Sequence, residues 1–210
     1  LSLALNLPGP AALMRCRELG ATCFKLEPPA GDPMRQYSAL AYDEMHQGVE
    51  VATANLKSPE GQALLHERLA QADVLLTSFR PSALPRLGLA WADLHARHPR
   101  LHQVAIVGAP GARAEEAGHD LTYQADSGLV TGLDLPPTLC ADMGGALEAV
   151  RAILLAALSG AAGRPGQYTE VALSEAASFL ALPRRWAITR EGDILGGAHP
   201  GYRVYACADG

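Results

Sequence analysis

A histidine and an aspartate suited to acid/base chemistry occupy two nearby segments of the chain. His119 lies in Gly118-His119-Asp120-Leu121-Thr122-Tyr123-Gln124, and Asp142 lies in Cys140-Ala141-Asp142-Met143-Gly144-Gly145-Ala146. A histidine beside the positive end of a helix dipole can be held neutral near physiological pH and used as a base. The alternatives are a surface or capping role for His119 and a plain helix N-cap role for Asp142. The two segments together form the candidate catalytic centre.

Two glycines follow Asp142 and precede a long apolar stretch, which predicts a helix over residues 144–158. Unpaired backbone N–H groups at the start of a helix can receive an anion or an oxyanion. A helix cap does not require Gly144 and Gly145, whereas close approach of a ligand does. This pattern favours a backbone anion site beside Asp142.

Basic side chains provide a second candidate function. Arg80 and Arg86 lie in a loop over residues 78–89 that follows an apolar strand. Guanidinium groups bind phosphate well, although a solvated loop is an equal alternative. Lys57 stands at the head of a predicted helix, where a surface role is the commoner one.

The elements that must position these residues alternate between strand and helix. The predicted strands cover residues 1–5, 21–27, 49–54, 73–77, 101–107 and 167–172, and the main predicted helices cover residues 11–19, 58–71, 91–97, 144–158 and 174–189, the last interrupted by Pro183. This alternation is typical of an α/β fold with a parallel sheet. Ligands bind beyond the carboxyl ends of such strands, where loops 6–10, 28–36, 78–87 and 108–118 should gather.

Bulk properties exclude several classes of function. The formal net charge of -5 provides no electrostatic footprint for nucleic acid. The apolar stretch 146–162 is interrupted by Glu148, Arg151 and Gly160, which argues against a membrane span. The seven histidines are scattered, and the four cysteines form no CxxC pair, so we expect no metal site and reduced thiols in a cytosolic protein.

Several stretches, in order along nearly the whole chain, resemble the family III CoA transferases of the CaiB/BaiF type, which include the α-methylacyl-CoA racemases. The stretches that carry the resemblance are residues 6–10, 25–34, 55–61, 73–89, 118–124, 141–145, 163–167 and 202–210. The resemblance implies a large Rossmann-like CoA-binding domain over residues 1–190. Residues 191–210 would form a linker and the first strand of a second, smaller domain that is missing from the chain.

The same resemblance implies an interlocked homodimer that acts on acyl-CoA thioesters without a metal or redox cofactor. Arg80 and Arg86 match the contacts to the CoA phosphates, and Lys57 and Tyr123 match further CoA contacts. Asp142 matches the aspartate that attacks the thioester in the transferases and that serves as one of two acid/base residues in the racemases.

His119 distinguishes the two branches of the family. The racemases have Gly-His-Asp at this position, whereas the transferases usually carry Tyr or Phe in place of the histidine. A racemase needs a base on one face of the α-carbon and an acid on the other, which His119 and Asp142 would supply. Backbone N–H groups of Gly144 and Gly145 would then stabilise the enolate oxygen.

Three functions follow from this interpretation. The first is an epimerase acting at the α-carbon of a 2-methylacyl-CoA. The second is a CoA transferase that works through an aspartyl-CoA intermediate on Asp142. The third is an inactive CoA-binding fragment.

Overall fold

A parallel β-sheet forms the centre of the computed structural model, which describes residues 1–208. Its strands are β1 (Phe24–Glu27), β2 (Glu50–Thr53), β3 (Val74–Thr77), β4 (His102–Val107) and β5 (Tyr168–Ala172). Strand β1 pairs with β2, β3 pairs with β4, and β4 pairs with β5, all in parallel. The predicted α/β class with a parallel sheet is confirmed.

The N-terminal segment joins the two groups of strands into one sheet. Ser2 donates its N–H to the carbonyl of Phe24 over 2.8 Å, and Leu3 donates to the carbonyl of Leu76 over 2.8 Å. Only Ser2 is bridged to both neighbours, so the strand predicted over residues 1–5 is shorter than expected. The chain leaves the sheet at Asn6, whose φ of 66° starts the turn into the first helix.

Nine α-helices connect and cover the strands in the described part of the chain. They are α1 (Pro8–Glu18), α2 (Met34–Tyr37), α3 (Ala39–Met45), α4 (Pro59–Leu69), α5 (Trp91–Arg97), α6 (Asp120–Asp126), α7 (Cys140–Ala161), α8 (Leu173–Leu180) and α9 (Leu182–Arg185). The start of α4 follows the predicted signal, because the Ser58 hydroxyl accepts the N–H of Gly61 and Pro59 is the first helical residue. The predicted break at Pro183 separates α8 from α9.

Apolar side chains cover both faces of the sheet. On one face, α1, α3 and α7 pack against Leu76 and Ile106. On the other face, α4 and α5 pack against Leu75 and Leu101. Successive strand residues point to opposite faces, which explains why strands covered on both sides are continuously apolar.

Helix α7 is the longest helix of the described residues and lies across the sheet. Its length and mean hydropathy would allow it to cross a membrane. However, Ala149 and Val150 belong to the core, and Arg151 pairs with Glu148 through a 2.6 Å contact. It therefore packs as the central helix of the α/β fold, while Leu147, Leu154 and Leu158 remain exposed on its outer side.

The C-terminal part differs from the prediction. The strand expected from residue 202 is not formed over residues 202–208, and residues 209 and 210 lie outside the described range. A strand needs a neighbour to receive its backbone hydrogen bonds, and none lies beside this segment among the described residues. Before it, Ile194–Ala198 forms a short irregular helical turn in the region predicted as a linker.

Candidate active site

A cavity of about 590 Å³ opens at the carboxyl ends of the strands. Its walls include Asn6 after the N-terminal segment, Met34 in α2, Arg80 after β3 and Gly108 after β4. His119, Tyr123 and Asp142 complete the set of predicted site residues that the fold brings there. The four loops predicted to gather at this edge all contribute residues to the cavity, so their convergence is confirmed.

Asp142 is held by the carboxylate of Asp120, which comes from the start of α6. Asp142 is the third residue of α7 and is half-buried, whereas Asp120 is buried. One oxygen of Asp120, Oδ1, accepts the N–H of Ala141 over 2.8 Å and the N–H of Asp142 over 3.0 Å. Its other oxygen, Oδ2, accepts from the amide of Gln124. Two of the unpaired donors at the start of α7 therefore bind Asp120 and are not free for an anionic ligand.

The predicted anion site formed by the backbone N–H groups of Gly144 and Gly145 is wrong, because these residues do not lie at the start of the helix. The helix begins at Cys140 rather than Gly144, so both N–H groups lie inside α7, where they bond carbonyls four residues earlier. The small size of these residues serves helix packing instead. A Cβ on Gly145 would lie 2.2 Å from Cδ2 of Leu173, and one on Gly144 would lie 3.1 Å from Cδ1 of Leu180. The glycines thus allow α8 to approach α7 closely.

The carboxyl group of Asp142 has an altered proton affinity. Its pKa is raised to about 6, chiefly by burial and next by the negative charge of Asp120, while His119 acts in the opposite direction. A carboxyl group with this pKa exchanges protons close to neutral pH, which is the range in which general acids and bases work best.

His119 and Tyr123 both belong to the α6 region but differ in their exposure. His119 is the residue before the first turn of α6 and is exposed at the cavity. Tyr123 is buried, with its hydroxyl between Gly108 and Gly118, where a Cβ would come within 2.0 Å and 2.4 Å of the hydroxyl oxygen. Burial, followed by the nearby Asp142, raises the pKa of Tyr123. Tyr123 therefore forms part of the cavity wall beside Asp142.

The predicted CoA-binding residues are not all at the cavity. Arg80 is exposed and lines it. Arg86, in a short 3₁₀ turn over Pro85–Leu87, and Lys57, in the loop before α4, are exposed but do not line it. Their roles in CoA binding stay predictions, and Arg80 is the arginine that the geometry favours.

Some residues of the cavity were not assigned a role from the sequence. Met34, Tyr37 and Glu116 line it, and Asn6 enters it from a left-handed backbone conformation. Asparagine is one of the few residues that tolerate this conformation. An asparagine directly after an apolar segment was therefore the sequence feature that could have indicated a turn at Asn6. The capping role of Asp120 had no signal beyond its place next to His119.

Comparison with known proteins identifies the family of this fold and site. The model of CoA-transferase family III matches residues 1–210. The chain belongs to this family. A succinyl-CoA–D-citramalate CoA-transferase of Chloroflexus aurantiacus is 32% identical over 100% of the chain, which covers 58% of that protein. The human alpha-methylacyl-CoA racemase is 28% identical over 97% of the chain, which covers 56% of that protein.

The fold agrees with a solved structure of the same type. A CaiB/BaiF family protein from Brucella suis has a TM-score of 0.85 and 29% sequence identity over 100% of this chain and 62% of its own. The chain thus spans somewhat more than half the length of these relatives. Family III members are CoA-thioester enzymes, and the relatives include both transferases and a racemase. Family membership is therefore compatible with more than one reaction, and the choice between them depends on the site residues.

Proposed function

We propose that this chain carries the catalytic residues of an epimerase that acts at the α-carbon of a 2-methylacyl-CoA. The observation that supports this proposal is the presence of His119 and Asp142 at one cavity on a family III fold. The chain also has Gly118-His119-Asp120, the sequence by which it resembles the racemase branch.

The reaction requires two proton transfers on opposite faces of the substrate. In one direction, neutral His119 removes the α-proton of the thioester, and protonated Asp142 delivers a proton to the other face of the resulting enolate. In the other direction the two residues exchange roles. The pKa of Asp142, raised to about 6, supports this role because both of its protonation states are accessible near neutral pH.

The cavity suits a thioester with an apolar acyl group and an anionic carrier. Leu7, Ile106 and Leu173 supply apolar lining, while the guanidinium of Arg80 stands at the exposed part of the wall. We place the acyl group against the apolar lining and a CoA phosphate near Arg80. A thioester in this position would present its α-carbon to His119 and Asp142.

Exchange of the α-proton tests the proposal. The R and S forms of a 2-methylacyl-CoA are incubated separately in deuterated water, and deuterium uptake and interconversion are measured by mass spectrometry and chiral chromatography. His119→Ala and Asp142→Asn should each lower interconversion by about 10²- to 10⁴-fold. Because the two residues serve opposite faces, each variant should retain more exchange from a different enantiomer.

A matched control is His199→Ala, which changes an exposed histidine outside the cavity and should leave both rates unaltered. A folded protein that binds CoA thioesters but shows no α-proton exchange would contradict the epimerase proposal.

A CoA transferase is the second candidate, and it is supported by the relatives. The succinyl-CoA–D-citramalate CoA-transferase and a succinate–glutarate CoA-transferase of Agrobacterium fabrum both match 100% of the chain. In this reaction the Asp142 carboxylate attacks the thioester and forms an acyl anhydride as the CoA thiolate leaves. The thiolate then attacks the aspartyl carbonyl, which releases the first acid and leaves an aspartyl-CoA thioester.

Hydroxylamine distinguishes the two candidates. It would convert an Asp142 thioester or anhydride into a hydroxamate that mass spectrometry detects at that residue. Trapping that depends on an acyl-CoA donor and persists in His119→Ala would select the transferase.

We propose a homodimer in the cytosol that uses CoA only as part of its substrate, without a metal or redox cofactor. Light scattering tests the dimer, and calorimetric titration with CoA tests binding. Absence of activity with retained CoA binding would favour an inactive CoA-binding fragment.

A further inference from the structure

A fully buried lysine lies at the centre of a group of polar side chains away from His119 and Asp142. Lys25, on β1, has a side-chain exposure of 0%. Its Nζ atom lies 2.5 Å from Oδ2 of Asp32, 3.2 Å from Oε1 of Glu27 and 2.8 Å from Nε2 of His46. The Tyr42 hydroxyl donates to Glu27 over 2.6 Å. These five residues are called the Lys25 cluster below.

The hydrogen bonds of the Lys25 cluster define which ring nitrogen of His46 carries a hydrogen. The ammonium group of Lys25 has only donors, so Nε2 of His46 must accept. Its Nδ1 then carries the hydrogen and donates to the carbonyl of Tyr42 over 2.6 Å. Burial, together with the charge of Lys25, lowers the pKa of His46, in keeping with a neutral ring.

Glu27, Asp32 and His46 are arranged in the way that metal ligands are, but they surround the ammonium group of Lys25. Ligand atoms of Glu27, Asp32 and His46 all lie within 4.8 Å of one another, a spacing that would suit a metal cation. The ammonium of Lys25 contacts all three, since it pairs with the carboxylates of Glu27 and Asp32 and donates a hydrogen bond to His46. Each charged side chain of the Lys25 cluster therefore lies beside one of opposite charge, as buried charges require.

Asp32 links the Lys25 cluster to the wall of the cavity. While its Oδ2 accepts from Lys25, its Oδ1 accepts the N–H of Asn6 over 3.0 Å and the N–H of Met34 over 2.9 Å. Asn6 and Met34 both line the cavity. Asn6 has a φ of 66°, a conformation that costs free energy for a non-glycine residue and persists where neighbouring contacts hold it.

We propose that Asp32 is a positioning residue for substrate binding: Lys25 fixes its carboxylate, and the carboxylate fixes Asn6 and Met34 in the cavity wall. This inference rests on the proposed function in one respect, namely that the cavity binds an acyl-CoA thioester. The role differs from that of a core salt bridge, because its consequence is the shape of the binding site and not only the stability of the fold.

Asp32→Asn tests the role because asparagine cannot replace both carboxylate oxygens. In one orientation its NH₂ group faces the Lys25 ammonium, and in the other it faces the N–H groups of Asn6 and Met34, so donors oppose each other in both. Tyr42→Phe is the matched control. It removes a buried hydrogen bond from the same cluster, and the lost bond is the one to Glu27 and not one to Asn6 or Met34.

The KM values of Asp32→Asn and Tyr42→Phe distinguish a positioning role of Asp32 from a general loss of stability. Asp32→Asn should raise the KM of an acyl-CoA substrate by about tenfold or more, the effect of losing a hydrogen bond to a charged group, with a much smaller change in kcat. Tyr42→Phe should leave KM within about twofold of the wild type at a comparable loss of stability. Equal changes in KM for the two variants, or none for Asp32→Asn, would overturn the proposal.

Amide hydrogen exchange makes the test independent of catalysis. The N–H groups of Asn6 and Met34 should exchange faster in Asp32→Asn than in Tyr42→Phe, whichever reaction the protein catalyses. Unchanged protection of both amides in Asp32→Asn would refute the positioning role, whereas faster exchange in a protein that binds no CoA would refute only the proposed function. If Asp32→Asn does not fold, Asp32→Glu is used, which keeps the charge beside Lys25 but displaces the carboxylate by one methylene group.

Discussion

Asp120→Asn should make Asp142 a stronger acid while leaving the start of its helix in place. An asparagine Oδ1 can still accept the N–H groups of Ala141 and Asp142, so the variant removes a charge and keeps these two contacts, although its NH₂ group cannot accept the bond from Gln124. The pKa of Asp142 is about 6, against 3.8 for an unperturbed aspartate, with burial as the larger cause and the Asp120 charge as the second. Loss of the smaller cause should lower the pKa by about one unit or less.

The difference in the ionised fraction of Asp142 between wild type and Asp120→Asn is greatest in mildly acidic solution. At pH 5, a carboxyl group with a pKa of about 6 is roughly one-tenth ionised, and a fall of one unit makes it roughly half ionised. In the direction in which Asp142 acts as the base, the acidic limb of the kcat/KM profile should therefore move to lower pH in the variant. Carbon-13 NMR of protein labelled at aspartate carboxyl groups measures the same midpoint directly, with the Asp142 resonance assigned from Asp142→Asn.

Asp126→Asn serves as the control, because it removes an exposed carboxylate from the last residue of the same helix. If the Asp142 midpoint stays in place or rises in Asp120→Asn, the electrostatic part of this reasoning is wrong. If the variant loses stability but the Asp142 midpoint does not shift, Asp120 acts only as a cap for the start of α7.

Three further predictions concern binding and stability. Arg80→Ala should raise the KM for the CoA thioester by about tenfold or more, while Arg86→Ala, outside the cavity, should have a smaller effect in the same steady-state assay. Gly145→Ala should lower the free energy of unfolding in urea by about 1–3 kcal/mol, because its methyl group overlaps Leu173. His46 has a lowered pKa in the folded state, so below its unfolded value near 6.5 the unfolded chain takes up a proton that the folded chain does not. Stability should fall as the pH drops below 6.5, and His46→Gln should reduce this dependence in denaturation curves measured at pH 5 and pH 7.

Much of the fold could be predicted from local patterns. The apolar runs of β3 and β4 and the capping signal at Ser58-Pro59 depend on residues close in sequence, and these elements form where expected. The N-terminal strand and the strand from residue 202 depend on which segments lie beside them. That information is absent from local periodicity, so the first was predicted too long and the second is not formed over residues 202–208.

The candidate site shows the same division. His119, Tyr123 and Asp142 could be placed together because loops at the carboxyl ends of parallel strands converge. Gly144 and Gly145 indicated a close approach correctly, but the sequence did not show that a helix, rather than a ligand, makes it.

The Lys25 cluster had no detectable signal before the structure. Lysine, histidine and carboxylate residues in strands and loops usually face solvent, and only the tertiary arrangement shows that these are buried around one ammonium group.

The central position of the N-terminal segment has a consequence for the kinetics of folding. The N–H of Leu5 bonds the hydroxyl of Ser78, and Leu3 bonds Leu76, so residues at the start of the chain contact partners 73 positions later. During synthesis the segment remains without its second neighbour until β3 has left the ribosome. Contacts of this separation slow folding, because the intervening chain loses entropy before the pairing forms. The sheet therefore cannot be completed progressively from the N-terminus, and formation of the pair between this segment and β3 is the step expected to limit its assembly.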